Sequence, residues 1–120
     1  MSEFVAVMSL AKLADASVVT VEIGPHKVCV ALWQGQPWAF QSLCPHDKAP
    51  LQEGLIQHCR ITCPRHLASF DLQSGEVSAG WRVDDLRCYP ARIRNGEIEV
   101  DSQSVIDNPP EGDKIVWDFT

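Results

Sequence analysis

The sequence predicts an all-β domain, an antiparallel sandwich or barrel with a small inserted subdomain of two paired loops at one tip. Three observations predict it. Short apolar and β-branched runs recur at near-regular spacing, turn residues punctuate them, and almost no stretch keeps a helical period. Residues 4–8 (Phe-Val-Ala-Val-Met) read as a first strand. Residues 9–16 could hold one helical turn, and nothing else is a good helix. Residues 18–23 alternate until Gly24-Pro25 breaks the pattern. Residues 27–33 and 38–43 flank Gln34-Gly-Gln-Pro37, a hairpin signal. Residues 60–62 and 69–72 are short strands around a loop, followed by the Ser74-Gly75 turn. Residues 86–94 and 97–100 are joined by Asn95-Gly96, the dipeptide best suited to a two-residue hairpin. Several short strands with such spacing favour a sandwich or barrel.

At 120 residues the chain is one small domain. Its formal charge of −6 is unevenly placed. Residues 1–96 hold nine acidic and nine basic side chains, whereas residues 97–120 hold seven acids and only Lys114. With no basic stripe to neutralise phosphates, nucleic acid is not an expected partner. No run approaches the ~20 apolar residues of a membrane span, so no membrane association is expected. The first apolar run is preceded by Glu3 and interrupted by Lys12, so it is not read as a signal peptide. Residues 1–101 are expected to form the domain, with its metal-binding part at roughly 42–82. Residues 102–120 form an acidic C-terminal extension: a polar linker broken by Pro109-Pro110, then Ile115, Val116, Trp117 and Phe119. Burying that Trp and Phe offsets chain entropy, so the extension is expected to pack back on the domain, away from the loop tip.

The chemistry lies in Cys44-Pro-His46, sixteen residues, then Cys63-Pro-Arg-His66. Each segment offers one thiolate and one imidazole from a tight loop, and Pro45 and Pro64 stiffen the backbone beside each cysteine. Four soft or borderline ligands are enough to hold a metal centre. A tetrahedral zinc site would use the same set, although zinc modules usually group Cys with Cys and His with His. The mixed pairs suit a [2Fe–2S] cluster with both cysteines on one iron and both histidines on the other.

Cys-Pro-His-Asp-Lys-Ala-Pro-Leu (44–51) and Thr-Cys-Pro-Arg-His-Leu-Ala-Ser-Phe-Asp (62–71), with Ser74-Gly75-Glu76 and Tyr-Pro-Ala-Arg-Ile-Arg-Asn-Gly-Glu-Ile-Glu-Val (89–100), resemble Rieske-type ferredoxins over roughly residues 4–101. Two departures are Leu67, where the family most often has Gly, and Val83-Asp-Asp-Leu86, where many members carry prolines. The resemblance implies a Rieske-like fold and one [2Fe–2S] cluster held by Cys44, His46, Cys63 and His66. It implies no catalytic residue. The implied role is a cytoplasmic, monomeric electron carrier between an NAD(P)H-dependent flavoprotein reductase and a terminal ring-hydroxylating oxygenase. Related readings are the ferredoxin of a diiron monooxygenase and the small subunit of a nitrite reductase. A structural zinc module is the alternative from a different class.

With those four assigned, only His26 and His58 remain, too few and too scattered for a second iron site that could activate oxygen. High-potential members carry an extra disulfide, and its positions here are Ala49 and Arg65, so nothing requires an oxidising compartment. They also place Ser and Tyr hydroxyls where this chain has Ala68 and Phe70, which implies the low end of the Rieske range, roughly −150 mV. Asp47, Lys48, Pro50, Arg65 and Leu67 are the expected docking rim, and Trp81 a candidate shield for the cluster. Cys29, Cys59 and Cys88 are expected to be inert, with Cys59 the only substitute ligand. His26 and His58 read as surface residues, Trp33 and Trp38 as packing.

Overall fold

Strand β3 (His26–Trp33) carries four consecutive side chains with no solvent exposure, Val28, Cys29, Val30 and Ala31. Successive residues of a strand face opposite sides, so both faces of its sheet must be covered. The computed structural model describes residues 2–45, 48–64, 68–78 and 85–110, and shows how. Its central sheet has the order β2-β3-β4-β8, where β2 is Val18–Ile23, β4 Gln36–Gln41 and β8 Cys88–Tyr89. On one face lies a sheet of order β1-β10-β9, made of β1 (Phe4–Ser9), β10 (Glu97–Asp101) and β9 (Ala91–Arg94). The other face takes the inserted sheet β5-β6-β7, made of β5 (Leu55–Gln57), β6 (Arg60–Thr62) and β7 (Ser69–Asp71). All pairings are antiparallel.

The two faces bury separate apolar clusters. Val28, Val30, Ala39 and Tyr89 pack with Leu13, Ile98, Val100 and Val105. Cys29, Ala31 and Phe40 pack with Leu51, Ile61, Phe70 and Leu72 of the inserted part, and with Cys44 and Cys63. The all-β class thus holds, as three stacked antiparallel sheets with two short α-helices among the described residues.

Local chemistry explains most elements. The helical turn expected at 9–16 is α1 (Leu10–Ala16), capped by Ser9, whose hydroxyl accepts from the Lys12 amide. The β9–β10 hairpin turns on Asn95 and Gly96, with φ of 52° and 74°, the double positive φ of the tight turn its sequence signals. One expected strand, 86–94, is two. Pro90 separates β8 from β9, and the halves join different sheets, because proline cannot donate to a ladder. The expected strand at 38–43 runs two residues earlier, and Leu43 keeps only an isolated bridge to Pro50. The short β5 was not expected at all.

A second correction concerns residues 102–107. They read as polar linker but form helix α2 (Ser102–Asp107), with Val105 fully buried. Asp101 organises its start: one carboxylate oxygen accepts from the Glu3 amide (2.8 Å) and the Gln103 amide (3.1 Å), and the other accepts from the Ser104 hydroxyl (3.1 Å). Beyond it, Asn108 and Pro109 are tied to β8 and its approach. The Tyr89 hydroxyl donates to the Asn108 carbonyl (2.7 Å), and Arg87 donates to the Asn108 side-chain oxygen (2.6 Å) and the Pro109 carbonyl (3.0 Å). The expected return of residues 115–119 lies outside the described residues.

Hydrogen bonds, foremost from the Glu3 amide, hold the Asp101 carboxyl below the usual carboxylate range against the opposing effect of burial. A folded-state value below the unfolded one, which is about 3.9, adds stability above that pH and loses it as pH falls through the folded value. Asp101→Ala should therefore lower the melting temperature at pH 7 by roughly 5 °C, about 1 kcal/mol for a lost cap. It should also flatten the acid limb below about pH 4. Parallel melting-versus-pH curves for variant and wild type would show that the carboxylate does not carry this linkage.

Candidate metal centre

Two loops of matched closure bring the cysteines of the two sequence motifs, Cys44 and Cys63, into one buried cluster. In the first, the Cys44 amide donates to the Ala49 carbonyl (2.8 Å) and the Lys48 amide returns to the Cys44 carbonyl (2.8 Å). In the second, the Cys63 amide donates to the Ala68 carbonyl (2.8 Å). Each cysteine thus closes on the carbonyl five residues ahead. The first loop leaves β4 through the Leu43–Pro50 bridge, and the second spans the β6–β7 stem, where Thr62 faces Ser69. Lys48 takes a φ of 61°, the left-handed turn that brings the first loop back.

Cys44 and Cys63 are 1% and 0% exposed and share one apolar cluster with Ala49, Leu51, Ala68, Phe70 and Leu86. Of the sequence-read ligands, the structure therefore brings these two together. His46 and His66 lie outside the described residues, as do Asp47, Arg65, Leu67 and Trp81. Of the expected rim, Lys48 is exposed and Pro50 half-buried. Leu43, beside Cys44, is 42% exposed and was missed.

Three polar side chains and one glycine hold this end of the molecule. Gln41, buried at the end of β4, donates to the Leu43 carbonyl (2.8 Å) and accepts from the Arg87 amide (2.7 Å), joining the first loop to β8. Gln52, in a 3-10 turn at Leu51–Glu53, accepts from the Thr20 amide of β2 (3.1 Å). Asp85 accepts from the Val77 amide (3.2 Å). Gly75 has a φ of 82° and its carbonyl accepts from the Leu86 amide (2.7 Å). Glutamine at a strand end carries no sequence signal, so Gln41 could not be singled out. Gly75 was legible only as a turn.

The other cysteines differ in chemistry. Burial pushes the Cys29 thiol up to about 11, opposed by its contact with Thr20. Burial, then the charge of Asp71, pushes Cys88 up to about 12. The same two causes raise Cys59. All three shifts disfavour the thiolate, the form that binds metal. No disulfide joins any of the five cysteines. Ala68 and Phe70 are fully buried beside the paired cysteines and offer no hydroxyl, while the intervening Ser69 has its hydroxyl on Arg60.

Two buried thiols on twin loops, at the edge of stacked β-sheets, define an all-β protein with a candidate thiolate site. Comparison with known proteins sharpens this. The Rieske [2Fe-2S] domain family matches residues 3–90, and the chain belongs to that family. The ferredoxin component of naphthalene 1,2-dioxygenase/salicylate 5-hydroxylase systems from Ralstonia sp. is 27% identical over 86 residues, 72% of this chain and 83% of that one. The Sphingomonas yanoikuyae B1 ferredoxin superposes with a TM-score of 0.74 at 26% identity, covering 82% of this chain and 98% of that one. The ferredoxin of carbazole 1,9a-dioxygenase from Nocardioides aromaticivorans IC177 gives 0.75 at 27% identity, covering 83% and 98%. The cofactor of this family is one [2Fe–2S] cluster, and the described halves of both loops fit it. Their cysteines are buried, belong to one cluster of side chains, and are closed by equivalent hydrogen bonds. Among the described residues no helix is long and apolar enough to cross a membrane.

Gly75 offers a direct check on how this end is packed. An added β-carbon would collide with the Leu86 carbonyl oxygen, in a backbone conformation that side chains disfavour. At Gly35, with a φ of 78°, a β-carbon would meet nothing within 4 Å. Gly35→Ala should therefore cost about 1 kcal/mol and Gly75→Ala at least twice that, by thermal or denaturant unfolding. Equal losses would mean that Leu86 does not press on Gly75.

Proposed function

We propose that this chain is a one-electron carrier, the Rieske ferredoxin component of a multicomponent ring-hydroxylating oxygenase, and not itself an enzyme. The observation that carries the reading is the pair of buried cysteines on twin loops, with no further ligand set among the described residues. Cys44 and Cys63 would hold one iron as thiolates, and His46 and His66 the other through neutral imidazoles. When bound, the cluster accepts and returns a single electron. The protein supplies an apolar wall behind the cysteines, amide-closed loops that keep the thiols in register, and no hydroxyl at Ala68 or Phe70 to stabilise added charge. That set of side chains supports a low potential, suited to electrons from an NAD(P)H-dependent flavoprotein reductase. The named roles of the similar ferredoxins support an oxygenase as the acceptor. We place the carrier in the cytoplasm as a monomer, with residues 1–101 as the redox domain. Residues 102–120 are then an extension packed back on it, in keeping with the burial of Val105.

The purified protein should contain two irons and two acid-labile sulfides per chain and show the Rieske paramagnetic signal on reduction. A colourless protein with stoichiometric zinc overturns the reading. Cys63→Ser should abolish the signal and His66→Cys should abolish or alter it, while Cys59→Ser leaves it unchanged. Bleaching by Cys59→Ser would refute the ligand assignment.

Phe70→Tyr tests the origin of the potential. A hydroxyl reaching a cluster sulfur should raise the midpoint by roughly 40 mV, the equivalent of about 1 kcal/mol for a one-electron couple. An unchanged voltammetric midpoint, with the hydroxyl shown to reach the sulfur, would refute the account.

A further inference from the structure

Arg60 opens β6, three residues before Cys63, and its guanidinium is committed almost entirely to one short piece of chain. Nε donates to the Ser69 hydroxyl (2.9 Å), and Nη2 donates to the carbonyls of Ser69 (3.2 Å) and Glu76 (3.3 Å). Nη1 stands 3.9 Å from the Asp71 carboxylate. That ion pair is long and its partners are about one-third exposed, so it adds little. The strong element is the fork on Ser69, a charge-assisted set that only a planar guanidinium makes.

Ser69 is the residue on which the second loop closes. It faces Thr62 across the stem, and its neighbour Ala68 supplies the carbonyl that accepts from the Cys63 amide. Its backbone is also braced by Ser78, whose amide donates to the Ser69 carbonyl (2.8 Å) and whose hydroxyl accepts from the Ser69 amide (3.1 Å). Every polar group of Ser69 is therefore partnered, and Arg60 ties the stem to the chain at Glu76.

We propose that Arg60 is the positioning residue of the second metal-binding loop: its fork on Ser69 fixes the stem, and through Ala68 the stem fixes Cys63. The proposal rests on the reading of this loop as half of the metal site. A lysine at this position keeps the charge but cannot reach the hydroxyl and both carbonyls at once.

The test uses the full-length protein carrying Arg60→Lys, Arg60→Met or Ser69→Ala, with Arg92→Met as control. Arg92 is likewise an arginine held by a neighbouring side chain, in a 2.7 Å ion pair with Glu99, but it lies on the outer sheet. Amide hydrogen exchange at Cys63 should be about tenfold faster in both Arg60 variants, as expected for a lost charge-assisted bond, and somewhat faster in Ser69→Ala. Exchange at Val30 in the central sheet should not change. The reduced paramagnetic spectrum of the loaded protein should broaden in the same variants and stay sharp in Arg92→Met. Wild-type behaviour of Arg60→Lys, or an unchanged Cys63 amide, overturns the proposal. So does equal broadening by Arg92→Met, which would mean general destabilisation. If neither Arg60 variant folds, Ser69→Ala decides alone, and an unchanged Cys63 amide there overturns it. If the wild-type chain binds no iron–sulfur cluster, the metal reading fails, while the amide exchange still settles the role of Arg60.

Discussion

The burial of β3 on both faces is the constraint on which the rest depends. A strand with Val28, Cys29, Val30 and Ala31 all sealed from water cannot sit in a two-layer protein with one wet face. It needs a sheet on each side, and each neighbour takes one parity of its side chains. The terminal strands and α1 cover the Val28–Val30 parity, and the inserted β5-β6-β7 sheet covers the Cys29–Ala31 parity. The metal-site insertion is therefore half of the hydrophobic core and not an ornament on a finished domain. Phe40, Ile61 and Phe70 join the site to the central sheet with no solvent between them.

That arrangement explains why the paired cysteines are buried while their loops reach the surface. Cys44 emerges from the end of β4 and Cys63 from the end of β6, and the same apolar cluster backs both. The side chains that share this cluster with the cysteines are apolar, among them Ala49, Leu51, Ile61, Ala68 and Phe70. Filling with such groups excludes water and withholds hydrogen-bond donors at the same time, so the proposed low potential would come from the same residues that give stability.

Much of this was legible in the sequence because the relevant signals are local. Asn95-Gly96 declares a hairpin and β-branched runs declare strands, while Cys-Pro-His and Cys-Pro-Arg-His mark candidate ligands. What escaped depends on partners distant in the chain. Helix α2 was hidden because its N-cap residue, Asp101, also ends a strand; the carboxylate that caps it at Gln103 is held in place by the Glu3 amide 98 positions away. The β5–β6 turn is built from His58 and Cys59, with φ of 52° and 59°, where glycine or asparagine is the usual sign. Pro90 was visible, but only the topology shows that the strand it interrupts serves two sheets. The importance of Gln41 and Arg60 lies wholly in what they reach.

The bond from the Thr20 amide to Gln52 joins the first metal-site loop to the outer edge of β2, the terminal strand of the central sheet. Open sheet edges are templates for association between chains, and proteins protect them by covering or charging them. Here a side chain from the loop segment occupies the edge amide. The residue next to Leu51, whose side chain is sealed in the same apolar cluster as Cys44 and Cys63, thus also covers part of a strand edge.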